Sequence, residues 1–134
     1  MQMFKQLLSR GSVFAGKFNG IDHEKYFIVA GISQDNVYCC SVFINSNIPP
    51  FIYNNRSLLD LQVNIKGSKY DFLHYDSFAA CNSIQRHFVD DIAHCRYLGQ
   101  IDTEDLNNIT KTVINSGLLA QKEIDQYFDF KQIL

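Results

Sequence analysis

The sequence predicts a mainly β fold of the α+β type, a small antiparallel β-barrel or curled sheet closed by C-terminal helices. Three observations carry that expectation. Short runs rich in β-branched and aromatic residues, separated by turn residues, fill the first two thirds of the chain. Apolar residues then recur at helical spacing beyond residue 102. Strands and helices come in blocks rather than in alternation, which argues against a parallel doubly wound sheet. With 134 residues, 46% of them hydrophobic, the chain can build one core without metals or disulfides. One domain over residues 1–134 is expected, with strands mostly within 11–85 and helices within 102–130.

Residues 1–8 read as a helical turn or an edge strand. Residues 12–18 form the first expected strand, ended by Asn19 and Gly20, a strong turn dipeptide. Residues 25–33 are almost continuously apolar and β-forming, the pattern of a strand buried on both faces, and so the best central strand. Gln34, Asp35 and Asn36 make a tight connection to residues 37–44, which should pair with the central strand as a hairpin. Pro49 and Pro50 then force a loop. Further strands are expected over 58–65, ended by Gly67, and over 71–81. Asp102 or Thr103 can cap a helix whose first turn is acidic and whose Leu106, Ile109 and Val113 share one face, with Gly117 as its stop. A last helix over 119–128 should bury Ile124, Tyr127 and Phe128.

The formal net charge of −2 excludes coating nucleic acid through bulk positive charge, so any RNA contact must be local. Cysteines 39, 40, 81 and 95 show no C-x-x-C spacing, and the adjacent pair would point to opposite faces of a strand. They read as reduced, packed thiols of a cytoplasmic protein, with no metal site and no cofactor. The first eight residues are too short and too polar for a signal peptide or a membrane span. Neither H-E-x-x-H, G-x-S-x-G nor a phosphate-binding glycine loop is present.

A metal-free ribonuclease needs little: a base for the ribose 2′-hydroxyl, an acid for the leaving oxygen and a cation for the charged phosphorane. His23 and Lys25 stand at the loop before the central strand, Arg56 follows the prolines, and Arg86 follows the fifth apolar run. These positions could meet at one rim of a barrel. Tyr53, in a polar loop, and Tyr75 are candidates to stack on exposed bases.

Read in order, the elements resemble the MazF/PemK family of toxin endoribonucleases. Gly11 to Phe14 stands for the opening strand of that family, residues 25–33 for the second and 37–46 for the third. Residues 77–86 look like its Cys-Asp-Gln-Ile-Arg motif strand, and residues 96–106, with Leu98 and Gly99, resemble the turn into its helix. The resemblance implies an SH3-like barrel with C-terminal helices, a homodimer in the bacterial cytoplasm, single-stranded RNA as substrate, and an antitoxin partner whose segment occupies the RNA groove. Asn82 falls where the family has its motif Asp, and an amide cannot serve as a general base. Ala80 stands where some members carry an Arg. Gln85 takes the place of the motif's closing Arg, which leaves Arg86 one residue late and facing the other way. The family's loop Arg is matched only by His23 or Lys25, and its Thr-Ser step by Asn45 and Ser46.

Two functions follow. In the first, the chain is the toxin of a toxin–antitoxin pair and cleaves RNA without metal. His23, Lys25 and Arg86 are then catalytic, and Ser46, Asn82, Arg56 and Tyr53 position the substrate. In the second, the barrel has lost the chemistry and binds a peptide, RNA or a partner subunit.

Overall fold

Apolar side chains on both faces of two neighbouring strands dictate a layer above and a layer below them. The computed structural model describes residues 8–18, 22–92 and 94–128. Its strands are β1 (Ser12–Gly16), β2 (Lys25–Ile32), β3 (Tyr38–Asn45), β4 (Gln62–Ile65), β5 (Ser77–Phe88) and β6 (Arg96–Gln100). They form one antiparallel sheet in the order β4-β5-β3-β2-β1-β6. Among the described residues no ladder joins β4 to β6, so the hydrogen-bonded sheet is open at both edges. Short helices α1 (Pro50–Tyr53), α2 (Arg56–Leu59) and α3 (Val89–Ile92) lie in the connections, and α4 (Thr103–Asn115) and α5 (Gln121–Phe128) follow the last strand.

The expected central strand is central, and it pairs with β3 as a hairpin. Ile28 and Ala30 of β2 join Cys40, Val42 and Ile44 of β3 in a core cluster completed by Ile109 and Val113 of α4 and Tyr127 and Phe128 of α5. Phe27 and Val29 point the other way, into a second cluster with Phe14, Cys39, Val89 and Ile92. The four cysteines are free. Burial pushes the Cys39, Cys40 and Cys81 thiols up to about 12, so these three are packing groups rather than nucleophiles.

Helix α4 starts as its residues dictate: Asp102 accepts from the Asp105 backbone N–H at 2.8 Å, and Gly117 follows the helix at φ +78°. Arg10 fastens the helical layer to the sheet. Its Nε donates to the Ala30 carbonyl at 2.9 Å, its guanidinium reaches Thr110 of α4, and it lies 5.3 Å from the centre of the Phe128 ring. Gly31 lets α5 come close. A Cβ added there would sit 2.7 Å from Tyr127 Cβ and 3.1 Å from the Tyr127 carbonyl.

Three expectations change. The segment 58–65 is a strand only over β4, because Asn55 caps α2 by accepting from the Leu58 N–H at 3.3 Å and draws the leucines into a helical turn. The segment 71–81 is not one strand: its first half closes a loop, and β5 begins at Ser77 and runs on to Phe88. Residues 96–100, expected only as a turn into the helix, form an edge strand on β1. The first expected strand stops at Gly16 and the last helix begins at Gln121. Residues 1–7, the turn residues Asn19 and Gly20, and residues 129–130 lie outside the described residues.

On the second face Ser41 Oγ and His87 Nε2 share a hydrogen bond of 2.8 Å, beneath Phe18 and beside Phe27. Burial pushes the imidazole below its usual range, and the charge of Asp91 opposes this only in part. The unfolded chain therefore binds a proton more readily at this residue than the folded one, and the contribution of His87 is fully present above about pH 6.5. Stability should fall as pH drops from there toward the lower folded value. In urea titrations between pH 5 and 7.5, His87→Gln is expected to flatten that slope. Gly31→Ala should cost about 1–3 kcal/mol by overpacking α5 against β2, read as a lower denaturation midpoint.

Candidate active-site cleft

Strands whose middles are buried on both sides can offer polar groups only at their ends. At the end where β2 begins and β3 finishes, the structure opens a cleft of about 450 Å³. Its apolar floor includes Tyr26, Ile44, Phe72 and Leu73. One wall carries His23, Glu24 and Lys25 at the start of β2; Asn45, Ser46 and Asn47 stand at the end of β3; His74 and Tyr75 form the facing wall, just ahead of β5. Since β3 lies between β2 and β5, the two walls stand on either side of its end.

Lys25 is held in place. Its Nζ donates to Asn45 Oδ1 at 2.6 Å and lies 5.4 Å from the centre of the Phe43 ring. Partial burial pushes the ammonium below its usual range, the mark of a cation with less water to screen it. Glu24 is engaged at 2.9 Å by Arg96 of β6, so its charge is answered on the far side of the wall.

The facing wall is a loop fixed at both ends. Asp76 Oδ1 accepts from the Gly67 N–H at 2.9 Å, and a Cβ on Gly67 would meet the Tyr75 carbonyl at 2.5 Å, so only glycine lets the two ends close. Lys69, in a 3-10 turn (Gly67–Lys69), bonds Asp102 at 2.5 Å and Asp105 at 3.1 Å. Tyr70 donates to Asp105 at 2.5 Å and accepts from the Asp102 N–H at 3.0 Å. Hydrogen bonds to these two carboxylates raise the Lys69 ammonium above its usual range, and burial pushes the Tyr70 phenol up to about 12. The wall is thus tied to the N-terminus of α4.

Of the residues expected at the site, His23, Lys25 and Ser46 line this cleft, although the Lys25 ammonium lies at its rim, over Phe43 on the face of the sheet opposite the floor of Tyr26 and Ile44. Arg86 does not join them. It pairs across from Cys40, five residues along β3 from Asn45, roughly 17 Å away at the rise of a strand. It also faces the helical layer, where it holds Glu123 of α5 through two bonds of 2.5 and 3.1 Å. Asn82 sits in an irregular stretch of β5 between Ala80 and Ile84 and accepts from Gln62 of β4 at 2.7 Å. Arg56, on exposed α2, pairs with Asp60 at 3.1 Å, and Tyr53 projects from α1 with 66% of its surface exposed. None of these four lines the cleft.

The residues that the sequence left out of the site are His74 and, as a cleft wall, Tyr75. Reading 71–81 as a strand hid them. The signal was there: Gly67 and the polar run from His74 to Ser77 mark a loop that turns before the next strand begins. Among the described residues, no group of three or more His, Cys, Asp or Glu side chains is placed to hold a metal ion, and no helix is long and apolar enough to cross a membrane.

No family model matches the sequence, and no curated protein matches it. Among solved structures the chain is similar to the Mycobacterium tuberculosis toxin MazF-mt6, with a TM-score of 0.56 and 12% sequence identity over 83% of this chain and 99% of that one. At that identity the likeness is one of fold, and the fold is MazF-like.

Proposed function

We propose that this chain is the toxin of a toxin–antitoxin pair, a MazF/PemK-type endoribonuclease that cuts single-stranded RNA without a metal. In this reading the sheet curls into an SH3-like barrel within a single domain, and the protein works as a cytoplasmic homodimer whose antitoxin competes for the RNA site. The observation that carries it is the cleft at the joined ends of β2 and β3, where Lys25 stands held by Asn45 beside His23 and Ser46. These are the positions that the resemblance to the family selects, and the MazF-like fold supports the same reading.

RNA supplies its own nucleophile. The 2′-hydroxyl attacks the adjacent phosphorus once a base takes its proton, and the 5′-oxygen leaves once an acid gives it one. In this reading Lys25, whose ammonium lies at the rim over Phe43, answers the negative charge that builds on the phosphorane, and its partial desolvation strengthens that interaction. Asn45 fixes the ammonium, and the Ser46 hydroxyl can bond a phosphate oxygen or a sugar hydroxyl. Tyr75, 73% exposed on the facing wall, offers a ring on which a base can stack.

The loss of a carboxylate at Asn82, and the bond that turns its amide toward Gln62, favour the second reading, a barrel that binds without cutting. One experiment separates the two. Purified wild-type chain and Lys25→Ala are incubated with a long single-stranded RNA in excess chelator and resolved on a denaturing gel. The nuclease reading expects discrete fragments from the wild type and a rate loss of roughly 100-fold or more in the variant. Intact RNA in both lanes, with a gel shift for the wild type, would establish binding without chemistry.

A further inference from the structure

We propose that His23 and His74 are the acid–base pair of this cleft, taking the proton from the 2′-hydroxyl and returning one to the 5′-oxygen from opposite walls. The inference rests on the RNA-cleaving reading and adds to it the groups that move protons. In-line displacement at phosphorus puts the entering and leaving oxygens on opposite sides of the phosphorus atom. A base and an acid that serve them must therefore approach from two directions, with the stabilising cation beside the phosphate between them.

The cleft brings two such groups together from separate segments of the chain. His23 comes from the segment entering β2, two residues before Lys25, and His74 from the loop entering β5. β3 lies between those two strands in the sheet, so the two histidines enter the cleft from segments on either side of its end. Both histidines line the one cleft, whose volume of about 450 Å³ admits a phosphodiester, together with Ser46 and with Lys25 at its rim.

The other titratable groups lining the cleft are otherwise employed or unsuited. Lys25 is bonded to Asn45 and Glu24 to Arg96. Tyr26 forms part of the apolar floor, and Tyr75 presents its ring at the facing wall. Among the described residues neither His23 nor His74 is committed to a hydrogen bond or an ion pair; His74 makes only an edge-on ring contact with Tyr75, centroids 6.4 Å apart. Imidazole is also the side chain that can both take and give a proton near neutral pH.

The step balances without a co-reactant. The bond from the 2′-oxygen to phosphorus forms and the bond from phosphorus to the 5′-oxygen breaks. One histidine gains the 2′-hydroxyl proton, and the other loses its proton to the leaving alkoxide. The products are a 2′,3′-cyclic phosphate and a 5′-hydroxyl end.

The test measures cleavage rates from pH 5 to 9 for the wild type, His23→Ala, His74→Ala and, as a matched control, His94→Ala, whose imidazole is exposed beyond α3 and outside the cleft. Expected are a bell-shaped profile for the wild type, an unchanged one for His94→Ala, and losses of roughly 100-fold or more in kcat for His23→Ala and His74→Ala. Each cleft variant should lose a different limb of the bell. An RNA with sulfur in place of the bridging 5′-oxygen, whose leaving thiolate needs no proton, should restore cleavage in whichever variant lacks the acid and not in the other. A role confined to shaping the wall would raise KM and would not respond to the sulfur. A full-rate, bell-shaped profile for His74→Ala overturns the pair while the Lys25-dependent nuclease stands; a wild type inert at every pH removes the nuclease reading and the pair with it.

Discussion

The double burial of the β2–β3 pair is the constraint from which the rest of the molecule follows. Ile28, Ala30, Cys40 and Val42 on one side and Phe27, Val29 and Cys39 on the other leave no solvent-facing surface along the middle of either strand. One side must be covered by α4 and α5, and the other by the α3 segment with Phe14 and Phe18. A polar group on such strands has water only at their ends, so Lys25 and Asn45 meet where they do. At the opposite end, the exposed Tyr38 and Phe88 rings pair with each other at 5.2 Å and bring no charge.

The same constraint explains what the sequence revealed and what it did not. Residues 25–32 and 38–45 are legible because burial on both faces writes an almost unbroken apolar run. Helix α4 is legible because its cap, its acidic first turn and its apolar stripe agree with one another. The β4 region is not, since its leucines suit a helical turn as well as a strand, and a cap from Asn55 decides between them. The site was half legible. His23, Lys25 and Ser46 lie close in sequence to the strand ends that position them, whereas His74 is brought to them by a loop whose path depends on contacts with α4, some 30 residues further on. Arg86 shows the reverse case. Its charge marked it for the site, but strand alternation turns it to the helical layer, where its energetic role is that of an exposed ion pair.

A net charge of −2 is compatible with a site for an anionic substrate because the cleft draws on few groups. Lys25 is partly desolvated and fixed, and Glu24, the acidic side chain on its wall, is neutralised by Arg96 from behind. The charge along the cleft is therefore set by the placement of a few groups rather than by the total.

The loop from Gly67 to Asp76 is closed on itself and bolted to the start of α4 through Lys69 and Tyr70. Its anchors and its display positions are thus different residues. His74 and Tyr75 can be exchanged for other side chains without loosening the hydrogen bonds that hold the loop, much as the tip of an antibody loop varies on a fixed frame. The loop can therefore keep its fold while the ring it displays at Tyr75 varies, and that position is the one the framework least constrains.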